Sequence, residues 1–283
     1  MSVSLAPRVL EPVHIDDPAG FAALLDKIVA ERGFRCHSYK ERCLVRRINV
    51  RLRATGAHTW QDYMAVLDRE PREWERLLDA LTINVTKFFR NWEVWQTLAD
   101  RVIPALWALP DDEIRVWSAG AASGEEAYSL AALFHRHAER LGEEYRLHRV
   151  RVLGTDIDPG SLAAAERGAY TPPAFADTPP ELRARYFTGD SPAYVRPELR
   201  ALVSFESRDL LRDPAPAGPW HLIACRNVVI YFDRDSQEEL FLRFHDALAP
   251  AGVLVLGKVE TLLGPARSLV AAVEQRDRVF RRL

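Results

Sequence analysis

The sequence predicts an α/β protein: a doubly wound, mostly parallel sheet preceded by a small all-helical domain. Three observations carry that expectation. Between residues 21 and 91 apolar side chains recur at helical spacing. Beyond residue 101 short apolar strands alternate with helical stretches, the grammar of βαβ units. Three of those strands end in turns of small or polar residues, where an open α/β sheet binds its ligands.

Taken in order, residues 1–18 read as a loose leader and residues 19–90 as the helical domain. Phe21, Leu24, Leu25 and Ile28 share one helix face, Asp17-Pro18 supplies an N-cap and a first-turn proline, and Gly33 ends that helix. A second helix is expected over 39–54, stopping at Thr55-Gly56, with shorter ones over 61–67 and 74–81. Residues 91–110, with prolines and a short helix, read as a linker. Residues 111–283 form the α/β domain, with strands at 114–117, 150–153, 202–205, 222–225 and 253–256 and helices near 125–140 and 161–167. Val279-Phe280 is expected as a last, antiparallel edge strand.

Composition narrows the function classes. Of 283 residues, 48% are hydrophobic and 28% charged, and the net charge of −2 argues against a whole-chain nucleic-acid or membrane-surface binder. Cys36, Cys43 and Cys225 lack CxxC or Cys/His ligand spacing, so they read as reduced thiols and no metal site is expected. Neither a signal peptide nor an apolar run of about 18 residues is evident, so a cytoplasmic protein is expected.

Three strand tips carry candidate chemistry. The first is Ser118-Ala119-Gly120-Ala121-Ala122-Ser123-Gly124-Glu125-Glu126, a small-residue turn that lets a ligand approach the backbone. It is neither GxGxxG nor a P-loop, and its acids could simply favour the helix dipole. The second tip, Gly154-Thr155-Asp156-Ile157-Asp158, puts Asp156 where an acid grips ribose hydroxyls, while Asp158 suits a helix cap. With no phosphate loop in front of it, the adenosine half of S-adenosylmethionine fits better than NAD. The third comprises Asp209-Leu210, suited to an adenine amino group and ring, and Arg226-Asn227 after an apolar strand. Those two are costly to bury unpaired and so are expected to face a cleft.

The run Leu81-Thr82-Ile83-Asn84-Val85-Thr86-Lys87-Phe88-Phe89-Arg90 resembles the signature of the CheR-type chemotaxis receptor methyltransferases. So do the Gly124-Glu125-Glu126 turn, the Thr155-Asp156-Ile157-Asp158 strand end and the run from Cys225 through Arg226, Asn227, Val228, Val229, Ile230, Tyr231 and Phe232 to Asp233. The match extends from about residue 21 to 280. It implies a helical domain packed on a Rossmann-like class I methyltransferase domain, with S-adenosylmethionine between them. By the same resemblance, Asn84, Thr86, Arg90, Glu126, Asp156, Asp209, Leu210, Arg226 and Asn227 contact that cofactor. Arg90 and Tyr231 lie nearest the transferred methyl group. The implied reaction makes glutamate methyl esters on the cytoplasmic helical region of chemoreceptors, with S-adenosylhomocysteine as product. Three departures stand out: Ala121-Ala122-Ser123 where Ala-Ser-Thr is usual, Asp209 in place of Asn, and Gly257-Lys258-Val259-Glu260 in place of Gly-His-Ser-Glu. The last puts the role of that loop in doubt.

The chemistry asks little of the protein. A glutamate carboxylate is ionised near pH 7, because its reference pKa is about 4.3, and a sulfonium methyl is already activated. In-line displacement therefore needs positioning rather than a general base or a metal.

On the substrate side, residues 32–53 hold eight Lys/Arg and one acid. Arg46, Arg47, Arg51 and Arg53 on the second helix form a candidate docking surface for an acidic receptor helix, with Arg47 and Arg51 on one face. Aromatics are not interleaved with these charges, which disfavours nucleic acid as partner. The family's receptor-tethering antiparallel insertion would fall at about 187–205, and its shortness favours direct recognition without a tether. A monomer is expected. Two other readings are a methyltransferase acting on another substrate and a catalytically degenerate scaffold or sensor that binds S-adenosylmethionine.

Overall fold

The computed structural model describes residues 17–82 and 86–283. The chain divides into two compact units between Thr82 and Ile83. The helical region therefore ends before the Phe88-Phe89-Arg90 run, not at residue 90 as the sequence suggested.

The first unit contains α1 (Pro18–Arg32), α2 (Glu41–Thr55), α3 (Trp60–Arg69) and α4 (Pro71–Leu81). Its boundaries follow from local chemistry. Asp17 accepts the Gly20 amide at 2.8 Å, Pro18 occupies the first turn, and Gly33 and Gly56 end their helices with φ of 67° and 72°. Thr59 and Asp62 form a reciprocal capping box at the start of α3. Trp60, Tyr63, Leu24, Ile28, Ile48 and Leu77 are buried in the unit. Glu73 is buried with them at 0% exposure, satisfied by a two-pronged Arg51 contact at 2.9 and 2.7 Å and by the Tyr63 hydroxyl at 3.0 Å.

The second unit is built on seven strands: β1 (Ile114–Ala119), β2 (Val150–Asp156), β3 (Val203–Ser207), β4 (Trp220–Cys225), β5 (Leu248–Leu256), β6 (Val270–Glu274) and β7 (Val279–Arg282). Their order across the sheet is β3-β2-β1-β4-β5-β7-β6. Every pairing from β3 to β5 is parallel, and β7 runs antiparallel to both its neighbours. The chain steps outward from β1 to β3, then returns to start β4 on the other side of β1. That reversal makes the carboxyl ends of β1 and β4 the switch point where a ligand crevice forms. The predicted strand at 279–280 is antiparallel but interior. The sheet edge is β6, which the sequence did not reveal because Val270-Ala271-Ala272-Val273 has little amphipathic alternation.

Helices α5 (Trp92–Thr97), α6 (Ile103–Trp107), α7 (Glu125–Leu141), α8 (Pro159–Arg167), α9 (Pro180–Tyr186), α10 (Pro197–Arg200) and α11 (Arg234–Ala247) accompany the sheet. Residues 91–110 are no linker. They form α5, a π-helical turn Leu98–Val102 and α6, and bury Val94, Trp95, Leu98, Val102, Ile103, Leu106 and Trp107 in the core cluster. The small antiparallel sheet joins Ala169–Tyr170, Ala193–Val195 and Phe187–Thr188. It thus begins well before residue 187, while 203–205 belong to the main sheet. No described helix is long and apolar enough to cross a membrane.

Candidate functional site at the strand tips

The segment that carries Arg90 is fixed by its aromatic neighbours. Phe88 stacks on Phe175 at 5.1 Å and meets Tyr170 and Phe187 edge-on, each at 4.7 Å. Its amide donates to Ala174, and the Phe89 amide donates to the Ser129 hydroxyl at 3.1 Å. Phe89 and Asn91 adopt left-handed φ of 53° and 61°, a bend that only so many contacts can hold. Arg90 leaves this bend half-buried, as does Thr86 before it. Asn84 lies outside the described residues.

The turn after β1 is stitched to β2. The amides of Gly120 and Ala121 both donate to the Thr155 carbonyl, and Ala122, at φ 46°, donates to Asp156 Oδ2 at 2.8 Å. Gly120, at φ 81°, has no room for a side chain, because a Cβ would stand 2.5 Å from Val228 Cγ2. Asp156 also accepts the Asp158 amide on Oδ1 at 3.0 Å and is 8% exposed. Burial pushes its pKa up, against the pull of those amides. The Ile157 amide also bonds this carboxylate. A carboxylate has about four acceptor positions, so three amides leave about one for a ligand. Asp158 caps α8 through the Gly160 amide, as a helix-start acid should.

Behind the turn sits a charged group. Glu126 accepts from the Ser118 hydroxyl at 2.9 Å and faces Arg226 at 3.6 Å, and Arg226 donates to the Arg90 carbonyl at 2.7 Å. The Arg226 guanidinium lies 5.2 Å from the Trp95 ring centre, over its face. Burial raises the Glu126 pKa, opposed chiefly by Arg226 and further by the Arg90 charge. With its side chain only 2% exposed, Arg226 does not face a cleft as expected. Its terminal nitrogens and its stacking face are turned inward, where it braces Glu126 and the Arg90 backbone.

Asn227, at φ 62°, does present a free group: its Oδ1 is buried with no hydrogen-bond partner among the described residues. Tyr231 closes the following turn, half-buried, its amide bonded to the Val228 carbonyl. Asp209 is half-buried after β3, one of its carboxylate oxygens accepting the Leu211 amide at 2.8 Å, and Leu210 is buried beside it. The Arg208 amide, bonded to the Asp156 carbonyl, ties this segment to β2.

Two buried acids were not singled out as site residues. Glu260 enters the strand-tip cluster from the loop after β5 and accepts the amides of Gly257, Asn227 and Val228 at 2.5, 2.9 and 2.8 Å. The loop whose role was in doubt therefore buttresses the tip of β4, and an acid three residues past the strand-ending glycine was the available signal. Glu125 is 4% exposed and bonded to the Ser123 hydroxyl, with its pKa pushed up to about 7 by burial.

In the helical unit the four candidate docking arginines divide. Arg51 is committed to Glu73, and Arg47 donates to the carbonyls of Ala80 and Leu81 at the end of α4. These two are structural. Arg46 is exposed and Arg53 half-buried, so the solvent-facing charge is narrower than the helix sequence suggested. Among the described residues no group of three or more His, Cys, Asp or Glu is placed to hold a metal ion.

Residues 84–277 match the CheR methyltransferase SAM-binding domain, and residues 19–82 match the CheR methyltransferase all-alpha domain. The chain belongs to the CheR methyltransferase family. The chemotaxis protein methyltransferase of Klebsiella aerogenes is 36% identical over 252 residues, covering 86% of this chain and 83% of that one. That of Escherichia coli is 33% identical over 265 residues, covering 91% and 89%. An uncharacterized 104.1 kDa protein of Rhodobacter capsulatus is 36% identical over 228 residues, 80% of this chain but only 24% of that protein's length. Both CheR domains are thus present, and the boundary between the two matches coincides with the division at Thr82.

Proposed function

We propose that this CheR chain transfers a methyl group from S-adenosylmethionine to glutamate side-chain carboxylates of chemoreceptors, leaving glutamate methyl esters and S-adenosylhomocysteine. The observation that carries the reading is the pair of unspent acceptors at the switch point. Asp156 is aimed by three amides with about one acceptor position to spare, and Asn227 Oδ1 is buried without a partner among the described residues. A ribose diol and a cationic amino-acid tail supply the donors those groups lack. The residues present therefore fit the cofactor that the family match implies.

In this reading Asp156 holds the ribose hydroxyls, and Asp209 and Leu210 take the adenine amino group and ring. Glu126 and Asn227 receive the methionine end, with Asn84 and Thr86 as further contacts. When bound, S-adenosylmethionine supplies the activated methyl group. The protein's share is orientation and exclusion of water. Arg90, held at the bend after Phe88-Phe89, draws the substrate carboxylate in by charge, and Tyr231 aligns it from the tip of β4. Arg226 works from behind, neutralising Glu126 and fixing the Arg90 backbone. Arg46 and Arg53 serve the approach of an acidic receptor helix in the cytoplasm, where the modification tunes chemosensory adaptation.

The test is to incubate the protein and S-adenosylmethionine with receptor cytoplasmic fragments and map the modified side chains by mass spectrometry. Base-labile methylation confined to glutamates is expected. Methyl groups on lysine or arginine, or on nucleic acid alone, would overturn the substrate assignment. Tyr231→Phe with unchanged turnover and substrate affinity would remove the role given to the tyrosine.

A further inference from the structure

The geometry points to Glu260 as a positioning residue: its buried carboxylate clamps the tip of β4 so that Asn227 presents its side-chain oxygen to the cofactor. The inference rests on Asn227 contacting S-adenosylmethionine, as proposed above. Glu260 is 2% exposed and gathers backbone amides from two separate segments. One oxygen takes Gly257 and Asn227, and the other takes Val228. The Ile230 amide also bonds this carboxylate. Three of the four donors, Asn227, Val228 and Ile230, thus lie in the turn just beyond β4, and all are spent on one anion.

The arrangement answers a specific difficulty. Asn227 sits at φ 62°, a region non-glycine residues seldom adopt, and its amide and that of Val228 donate to the Glu260 carboxylate. Left alone, the turn would relax and the Asn227 side chain could fold onto its own backbone, as asparagines in turns do. Glu260 occupies those backbone donors, which leaves Asn227 Oδ1 buried and without a partner among the described residues. Gly257 completes the device, since a Cβ there would stand 2.7 Å from Glu260 Oε2 and 2.8 Å from the Asn227 amide. The opposite wall of the tip is as tight, with Val228 filling the space above Gly120. A neutral side chain would be cheaper to bury than a carboxylate. Glutamine offers one acceptor oxygen, and its amide nitrogen would oppose the remaining N–H groups.

The experiment compares the full chain with Glu260→Gln, Asn227→Ala and the double variant, by calorimetric titration with S-adenosylmethionine and by transfer kinetics. Misplacement of a ligand contact on this scale costs about tenfold or more. The expected result is a dissociation constant raised about tenfold in Glu260→Gln, with the loss in KM for cofactor rather than in turnover at saturation. The double variant should bind no more weakly than the weaker single variant, because both changes remove one contact. An unchanged dissociation constant in Glu260→Gln, or losses that add in the double variant, would overturn the inference. If Glu260→Gln fails to fold, Glu260→Asp keeps the charge at shorter reach and should show an intermediate loss, with an unchanged constant again overturning it. Absence of cofactor binding by the unsubstituted protein would sink the methyltransferase reading itself, a result distinct from tight binding that ignores position 260.

Discussion

Replacing Glu125 with glutamine should stabilise the protein at neutral pH and leave it almost unchanged in acid. Glu125 opens α7 at 4% exposure, and its side-chain hydrogen bonds run to the Ser123 hydroxyl. Burial moves its pKa from an ordinary 4.5 to about 7, so folding favours the protonated acid. Below about pH 4.5 the group is protonated in folded and unfolded chains alike and costs nothing. Between 4.5 and 7 the unfolded chain releases the proton first, and stability falls as pH rises. At about 1.4 kcal/mol for each pH unit, the full penalty above pH 7 is about 3 kcal/mol. Glutamine keeps the shape and an acceptor for Ser123 but cannot ionise. Urea unfolding followed by tryptophan fluorescence, at fixed pH values from 4.5 to 8, reads the difference directly. The variant's advantage should grow from near zero to about 3 kcal/mol. A constant difference across that range would refute the assignment of a raised pKa to this side chain.

Other expectations follow from single contacts. Arg51→Ala strands the Glu73 carboxylate at 0% exposure with only Tyr63 and a longer Arg76 contact of 3.7 Å, and should cost about 3–5 kcal/mol in urea melts. Arg46→Ala, on the same helix but exposed, should stay within about 0.5 kcal/mol while weakening receptor docking in a pull-down at low salt. Gly120→Ala should lower both stability and cofactor affinity, by about 1–3 kcal/mol in the former, and Val228→Ala should restore only the part due to crowding, since φ 81° stays strained. Phe88→Ala, emptying the middle of the Tyr170, Phe175 and Phe187 cluster, should cost about 3–5 kcal/mol by the same melts.

What could be read in the chain depended on how local the cause was. Helix ends at Asp17, Gly33 and Gly56 were legible because a cap is written in adjacent residues. The parallel strands were legible because each is an apolar run between turns, and Asp156 followed from its place at a strand end. The role of Arg226 was not, since a guanidinium at a strand tip reads as cleft-facing until Glu126, Trp95 and the Arg90 carbonyl are brought around it from 100 to 136 positions away in sequence. For the same reason Arg47 and Arg51 looked like docking charges until α4 supplied Glu73 and its terminal carbonyls. The stretch 91–110 was misread as a linker because its short helices and Pro104 break the periodicity that marks a core element, although seven of its side chains are in the core cluster. Glu260 was undervalued because its partners are backbone amides, and their direction is invisible in a string of residues.

The most direct assay is labelled methyl transfer from S-adenosylmethionine to receptor cytoplasmic fragments, followed by mild alkali, for the unsubstituted protein and for Asp156→Ala. Label that alkali releases from the receptor and that vanishes with the Asp156 carboxylate is expected. Cofactor binding without transfer to any fragment, or transfer that survives the loss of Asp156, would contradict the proposed methylation and the role of Asp156 in it.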